Sequence, residues 1–146
     1  MIDFTKYYIR PITPRADSLE IKAVLCELAI NYQDATSELI RVQYERDLQK
    51  VKVDKMRHDL KVDAANENIR KGRNFRMTKD QLEAQVEKGL STEMKKLSSL
   101  EGDVKALMAV ISMLKFIGNQ VNTLSMISAS ERKFEAAPKQ TFEEST

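Results

Sequence analysis

The sequence has no tryptophan, few other aromatic residues and few of the residues that form turns. Aromatic side chains make up 6% of its 146 residues, and there are only four glycines and three prolines. So few turn formers exclude most all-β folds, which need a turn after every short strand. Because 42% of the residues are hydrophobic and 32% are charged, the composition favours long amphipathic helices over disorder. The predicted fold class is therefore all-α.

Residues with reactive or metal-binding side chains are equally scarce. Cys26 and His58 are each the only residue of their type, whereas a metal site needs several such ligands close together. The sequence has no glycine-rich phosphate loop and no nucleophile placed beside a base. We therefore expect no metal, no cofactor, no small-molecule substrate and no enzymatic activity. Cys26 lies in an apolar helical stretch, so we expect it in or near the core.

Signals for membranes and secretion are weak in this sequence. Its beginning carries no signal-peptide pattern, and its most apolar stretch is interrupted by Lys105 and Lys115. A membrane-spanning helix needs about 20 predominantly apolar residues, and a lone cysteine fits a reducing compartment. We therefore expect a cytoplasmic protein without a membrane partner.

The distribution of proline and charge predicts three regions. Residues 1–16 interleave aromatic and basic residues and contain two prolines, which predicts an extended N-terminal arm or a short strand. This arm either packs on helices or stacks its rings on nucleic-acid bases. Residues 17–130 form a single predicted helical domain, and residues 131–146 a polar, mobile tail.

The first helix is predicted over residues 17–70. Asp17 or Ser18 can cap its N-terminus, and no glycine or proline interrupts it before Gly72. Apolar residues recur every three or four positions, which is the spacing of a coiled-coil seam. A helix of about 45–50 residues is roughly 70 Å long at 1.5 Å per residue. A compact chain of this size cannot cover such a helix, so its seam has to pack against another long helix.

A basic loop follows over residues 70–79. Five of these ten residues are basic and none is acidic. Gly72 and Asn74 suit a helix stop and a turn. Thr78 followed by Gln81 is a capping-box pattern, so we expect a new helix to begin at residue 79.

The region after the loop is predicted as a helix over 79–97 and a helix over 99–130, forming a helical hairpin. A second capping box, Ser98 to Glu101, either starts the last helix or lies inside one continuous helix. The last helix is apolar around most of its circumference, so we expect several partners to bury it, in an oligomeric helical bundle or ring. The residues assigned to oligomerisation are Leu100, Val104, Leu107, Ile111, Leu114, Ile117, Val121 and Leu124.

Positive charge is concentrated in the middle of the chain. Residues 43–79 hold eleven Lys or Arg against six Asp or Glu, while the segments on either side are slightly acidic. This pattern indicates an anionic partner. The candidate nucleic-acid-binding residues are Lys55, Arg57 and Lys61 on the first helix, and Arg70, Lys71, Arg73, Arg76 and Lys79 in the loop. Acidic neighbours leave an ordinary ion-paired helix face equally open for the helix group. Phe75 can stack on a base of a single strand.

The order of these parts resembles the phage recombination mediator family, UvsY. The matching stretch runs from Thr78-Lys79-Asp80, through an apolar block after Asp103-Val104, to Phe134-Glu135-Ala136, about 40% of the chain. The family's DNA-contacting Lys-x-Arg is matched by Lys55-Met56-Arg57, although this pair lies further from the hairpin than in the family. Arg70-Lys71-Gly72-Arg73 is the nearer basic cluster.

The resemblance implies a non-enzymatic ring oligomer that binds single-stranded DNA. Such proteins help load a RecA-like recombinase where single-strand-binding protein blocks it, and a phage-encoded one acts in the cytoplasm of the infected bacterial host. The alternative is a structural coiled-coil protein, such as a phage assembly scaffold or chaperone, with no nucleic-acid role.

Overall fold

Two long helices account for most of the chain. The computed structural model describes residues 2–13 and 15–136, with side chains as far as residue 133. Its elements are a 3-10 turn at Phe4–Tyr7, helix α1 at Ser18–Arg70, a 3-10 turn at Arg73–Phe75, and helix α2 at Lys79–Ala136. The described residues contain no strand, so the all-α prediction is confirmed. Part of the predicted mobile tail, up to Ala136, is helical; residues 137–146 lie outside the described residues.

Capping side chains set the first residues of both helices. The Glu20 N–H donates to Asp17 Oδ1 at 2.8 Å. At α2, the Thr78 N–H donates to Gln81 Oε1 at 2.9 Å, and the Gln81 N–H donates to Thr78 Oγ1 at 3.3 Å. Each contact satisfies an N–H that the first helical turn leaves without an intrahelical partner. Both predicted caps are therefore confirmed.

Helix α2 is continuous, so the predicted helices over 79–97 and 99–130 are one helix and form no hairpin with each other. A glycine inside a helix costs only about 1 kcal/mol relative to alanine, and burial of Leu90, Leu97 and Val104 offsets it. The absence of a side chain at Gly89 lets Leu60 of α1 lie close to α2, because a Cβ at this position would lie 3.1 Å from Leu60 Cδ1. Ser98 lies within the helix and starts no new one.

The chain divides into two compact units, and each helix passes through both. Unit 1 comprises residues 36–109 with Ile2, and unit 2 comprises residues 3–35 with the part of the chain after residue 109. In unit 1 the helices run antiparallel, since Gln49 of α1 contacts Glu93 of α2 and Arg57 contacts Glu87. The core near the loop contains Ala64, Val86 and Leu90, flanked by Met56, Leu60 and Leu82.

A polar contact lies within the apolar stripe of unit 1. The Gln49 side chain is only 5% exposed, and its amide donates to the Glu93 carbonyl oxygen at 3.1 Å and to Glu93 Oε2 at 2.6 Å. Lys52 Nζ lies 3.1 Å from Glu93 Oε1. A buried amide is costly unless its hydrogen bonds are made. Sliding one helix along the other would break these hydrogen bonds. The contact between Gln49 and Glu93 therefore favours the observed register of α1 and α2.

In unit 2 the N-terminal arm packs on the helices through Tyr7 and Ile9, which are 1% and 7% exposed. Asp3 caps the first turn, because its carboxylate accepts from the Thr5 N–H at 3.0 Å. Residues 8–13 have no regular structure, and part of this stretch lines a groove of about 290 Å³ with Ile117, Val121 and Leu124 of α2. Met1 and Pro14 of the predicted arm lie outside the described residues.

Cys26 is exposed, so the prediction that it lies in or near the core is wrong. The buried residues of this part of α1 include Val24 and Leu28. Successive helical residues are rotated by about 100°, so Cys26, two positions from each, points away from the core. The apolar neighbours that suggested burial lie on a different face.

The burial of one face of α2 predicts that substitutions at two neighbouring residues will differ in their effect on stability. Leu107 is completely buried and Met108 is 54% exposed. We expect Leu107→Ala to lower the free energy of unfolding by about 2–5 kcal/mol, because it leaves a cavity in a packed core. Met108→Ala, the matched control, should change it by less than about 0.5 kcal/mol. Urea unfolding followed by circular dichroism measures both, and equal losses would contradict the assigned faces.

The polar contact predicts an acid-dependent loss of stability. The hydrogen bond from Gln49, followed by that from Lys52, holds the pKa of Glu93 below its ordinary value of 4.5. A carboxylate whose pKa is lowered by folding stabilises the fold above its unfolded pKa, and this contribution disappears as the pH falls through the folded pKa. Unfolding measured between pH 7 and pH 3 should therefore show a smaller acid-induced loss in Glu93→Gln. The exposed control Glu101→Gln should keep the wild-type pH profile.

Candidate nucleic-acid interface

The predicted loop cations lie at the connection between α1 and α2. Arg70 ends α1, Arg73 begins the short 3-10 turn, and Lys79 begins α2. Arg70, Arg73 and Arg76 are exposed and form no ion pair with any residue that the structure describes. Lys71 lies 3.9 Å from Glu67 and Lys79 lies 4.0 Å from Glu83. Exposed pairs at such distances contribute little energy, so all five cations remain available to an anion.

The loop backbone is held in place by one asparagine. The Met77 N–H donates to Asn68 Oδ1 at 2.8 Å, and the Asn68 amide donates to the Met77 carbonyl oxygen at 3.3 Å. The Phe75 N–H donates to the Gly72 carbonyl oxygen at 2.9 Å, closing the 3-10 turn. Gly72 has a φ of −60°, so the turn does not use the left-handed conformation expected of a glycine stop. The cations therefore project from a connection with defined hydrogen bonds.

Phe75 lies in the middle of this cationic connection and is 77% exposed. A single exposed ring is common on protein surfaces, so Phe75 is of interest because of its basic neighbours in the sequence. Proteins that bind single strands combine a positively charged track with aromatic side chains on which bases stack. Phe75 and its basic neighbours have that combination.

The three helix cations do not share one environment. Lys55 and Lys61 are exposed and have no ion-pair partner among the described residues. Arg57 is 30% exposed and lies 3.8 Å from Asp54 and 3.5 Å from Glu87 of α2. Lys55 and Arg57 are two positions apart and hence on different faces of α1. The Lys-x-Arg pattern therefore does not produce a single two-cation site here.

Two residues that make contacts in this region were not predicted from the sequence. Asn68, which fixes the loop, lies four residues from Gly72, and its position near the end of a helix was the available signal. Glu87, which pairs with Arg57, is 30 residues away along the chain. No local pattern indicates that contact, because it depends on the register of the two helices.

The residues predicted to mediate oligomerisation line the inward face of α2. Val104, Leu107, Leu114 and Val121 are buried within the chain, and Leu100, Ile111, Ile117 and Leu124 are partly buried. Oligomerisation itself stays a prediction, but the single chain already buries four of these side chains and partly buries the other four. The large apolar residues that α2 leaves exposed in this region are Met108, Met113, Phe116, Met126 and Ile127.

The apolar part of α2 is poorly covered by the chain itself. By length and composition alone, α2 is apolar enough to cross a membrane. Only 22% of its most apolar 18-residue stretch is buried. Apolar side chains that are exposed on one face of a helix are candidates for a surface that another molecule covers.

Other sites are not evident in the described part of the chain. No group of three or more His, Cys, Asp or Glu residues there is arranged to hold a metal ion. His58 is exposed on α1. The expectations of no metal, no cofactor and no enzymatic activity stay predictions.

No protein-family model matches this chain, and no curated protein or solved structure matches it either. The UvsY-like character therefore stays a hypothesis that depends on the order of the parts. The features that point to a function are the basic connection and the exposed face of α2.

Proposed function

We propose that this protein is a non-enzymatic recombination mediator, which binds single-stranded DNA as a homo-oligomer and promotes loading of a RecA-like recombinase. The observation that carries the proposal is the basic connection, where Arg70, Arg73 and Arg76 have no described ion-pair partner beside the exposed ring of Phe75. Phosphates neutralise such cations and release counterions into solution, which favours binding.

A single strand suits this surface better than a duplex does. Phe75 can stack only on a base whose face is accessible, as in single-stranded DNA. Reading a duplex generally requires a helix or ribbon placed in the major groove. The candidate cations instead lie on a short connection and on the exposed sides of two paired helices.

Assembly would turn weak contacts into useful affinity. One connection offers five cations, and several connections on one oligomer would hold a flexible strand at high effective concentration. A strand held in this way would be available for recombinase filament growth in competition with single-strand-binding protein. The mechanism is mass action and requires no chemical step.

The exposed face of α2 in unit 2 is the surface that we assign to assembly with a second copy. Met113, Phe116 and Ile127 are 44%, 61% and 50% exposed, and together with the exposed Gln120 they lie three, four and seven residues apart on one face of α2. That spacing is the one by which a helix packs along another helix. A second copy presents the same face, so pairing of the two would cover both.

DNA binding should follow salt concentration. Fluorescence anisotropy should show preference for single-stranded over duplex oligonucleotides, with affinity falling steeply as salt rises. Replacing Arg70, Lys71, Arg73 and Arg76 by Ala should weaken binding and reduce the salt slope by about 0.7 for each phosphate that the variant no longer neutralises. The control replaces the exposed cations Lys22, Lys105, Arg132 and Lys133, which changes the net charge equally and should leave the slope nearly unchanged.

The absence of binding at low salt would exclude the mediator function and favour the alternative, a structural coiled-coil protein such as an assembly scaffold or chaperone. Equal effects of the two fourfold variants would mean that net charge, and not the connection, attracts DNA. Strong binding to duplex would contradict the assigned role of Phe75.

The assembly face makes a separate prediction. Met113→Asp with Phe116→Asp should give monomers that remain helical, because both side chains are exposed in the single chain. Leu107→Asp with Leu114→Asp should instead unfold the chain, because both residues are buried in it. Sedimentation velocity and circular dichroism measure the two outcomes. Oligomers that survive the first double substitution would exclude this face.

A further inference from the structure

Two grooves of opposite charge lie on either side of the contact between α1 and α2 in unit 1. The first, of about 280 Å³, is lined by Lys61, Ala64, Lys79, Leu82, Glu83 and Val86. The second, of about 230 Å³, is lined by Leu60, Asp63, Ala64, Glu67, Gln85 and Val86. Ala64 and Val86 line both, so their contact separates a basic side from an acidic one.

The sequence of α1 explains this difference between the sides. Lys61 and Asp63 are two positions apart, which places them about 200° apart around the helix axis. Ala64 lies between them in direction and belongs to the same buried cluster as Val86 of α2. One short stretch of α1 therefore presents a cation to one groove and a carboxylate to the other.

The basic groove is open to an anionic ligand. Lys61 has no ion-pair partner within the described chain, and the Lys79 side chain is 88% exposed and 4.0 Å from Glu83. Glu83 is the one carboxylate that lines this groove, and its side chain is 59% exposed. The floor is apolar, formed by Ala64, Leu82 and Val86.

The acidic groove presents the opposite environment. Asp63 and Glu67 line it, and it has no cation among its lining residues. The nearest described cation of Glu67 is Lys71, at 3.9 Å. A phosphate that approaches this side meets two carboxylates and is repelled.

We infer that the groove between Lys61 and Lys79 is a nucleotide subsite for single-stranded DNA. This inference rests on the proposed function and assigns a path to the strand. One base packs on the apolar floor, while the phosphates on its two sides contact Lys61 and Lys79. Lys79 also belongs to the basic connection, so a strand that stacks on Phe75 continues into this groove and avoids the acidic side.

The first test compares matched single substitutions in the full-length protein. Lys61→Ala should weaken binding of oligo(dT) and lower the salt slope by about 0.7, the value for one phosphate contact on a single strand. Lys88→Ala removes the same charge from an exposed position of α2 outside the groove, and it should leave the slope unchanged. Both substitutions are on the surface, so circular dichroism should show an unchanged fold.

The second test locates the base directly. Oligo(dT) containing 4-thiothymidine should form photocrosslinks that peptide mass spectrometry places at Leu82, Val86 or the Lys61–Ala64 stretch, as well as at Phe75. If wild-type protein binds DNA and loses binding with the connection variant, yet Lys61→Ala matches Lys88→Ala and crosslinks occur only at Phe75, the subsite is excluded while the function stands. Crosslinks at Glu67 or Gln85 would also exclude it. No DNA binding by the wild type would overturn the function itself.

Discussion

The packing of α1 against α2 along their inward stripes is the constraint on which the rest of the molecule depends. In each unit, side chains spaced three or four residues apart meet the other helix, as Leu90 does in unit 1 and Leu114 in unit 2. This packing determines which residues remain outside. The exposed face of α2 is therefore a consequence of which face packs inward, while the cations and Phe75 lie on the connection that joins the two packed helices. The hydrogen bonds from Gln49 to Glu93 favour the register in which the inward faces of α1 and α2 meet.

Local patterns in the sequence were sufficient for the fold class and for the first residues of both helices. Asp17 and the Thr78–Gln81 pair could be read because capping depends on residues three positions apart. Continuity of α2 could not be decided, because the Ser98–Glu101 pattern occurs at the start of a helix and is also compatible with a helix interior. Cys26 was misplaced because α1 carries apolar residues on its exposed face too.

For the site and the assembly surface too, features set by neighbouring residues could be predicted, and contacts between distant segments could not. The cations of residues 70–79 were recognisable from composition, because no acidic residue lies among them. The pairing of Arg57 with Glu87 could not be predicted, because it depends on the register of two segments that are distant in sequence.

A heptad seam has the same spacing whether its partner is another molecule or the same chain. The seam of α1 does meet a long helix, as predicted, and that helix is α2. The inward residues of α2 are consequently covered, and its outward residues are the candidates for contact between copies.

The division into units also bears on the order in which the chain can fold. Unit 1 is almost continuous in sequence, and its two helical segments are joined by a short connection, so bringing them together costs little chain entropy. The segments of unit 2 are separated by the whole of residues 36–109. Closing that long separation is entropically costly until unit 1 has formed, after which the distance to be closed is much reduced. The same short connection that presents the cations therefore favours early formation of unit 1, and we expect Tyr7 and the N-terminal arm to pack afterwards.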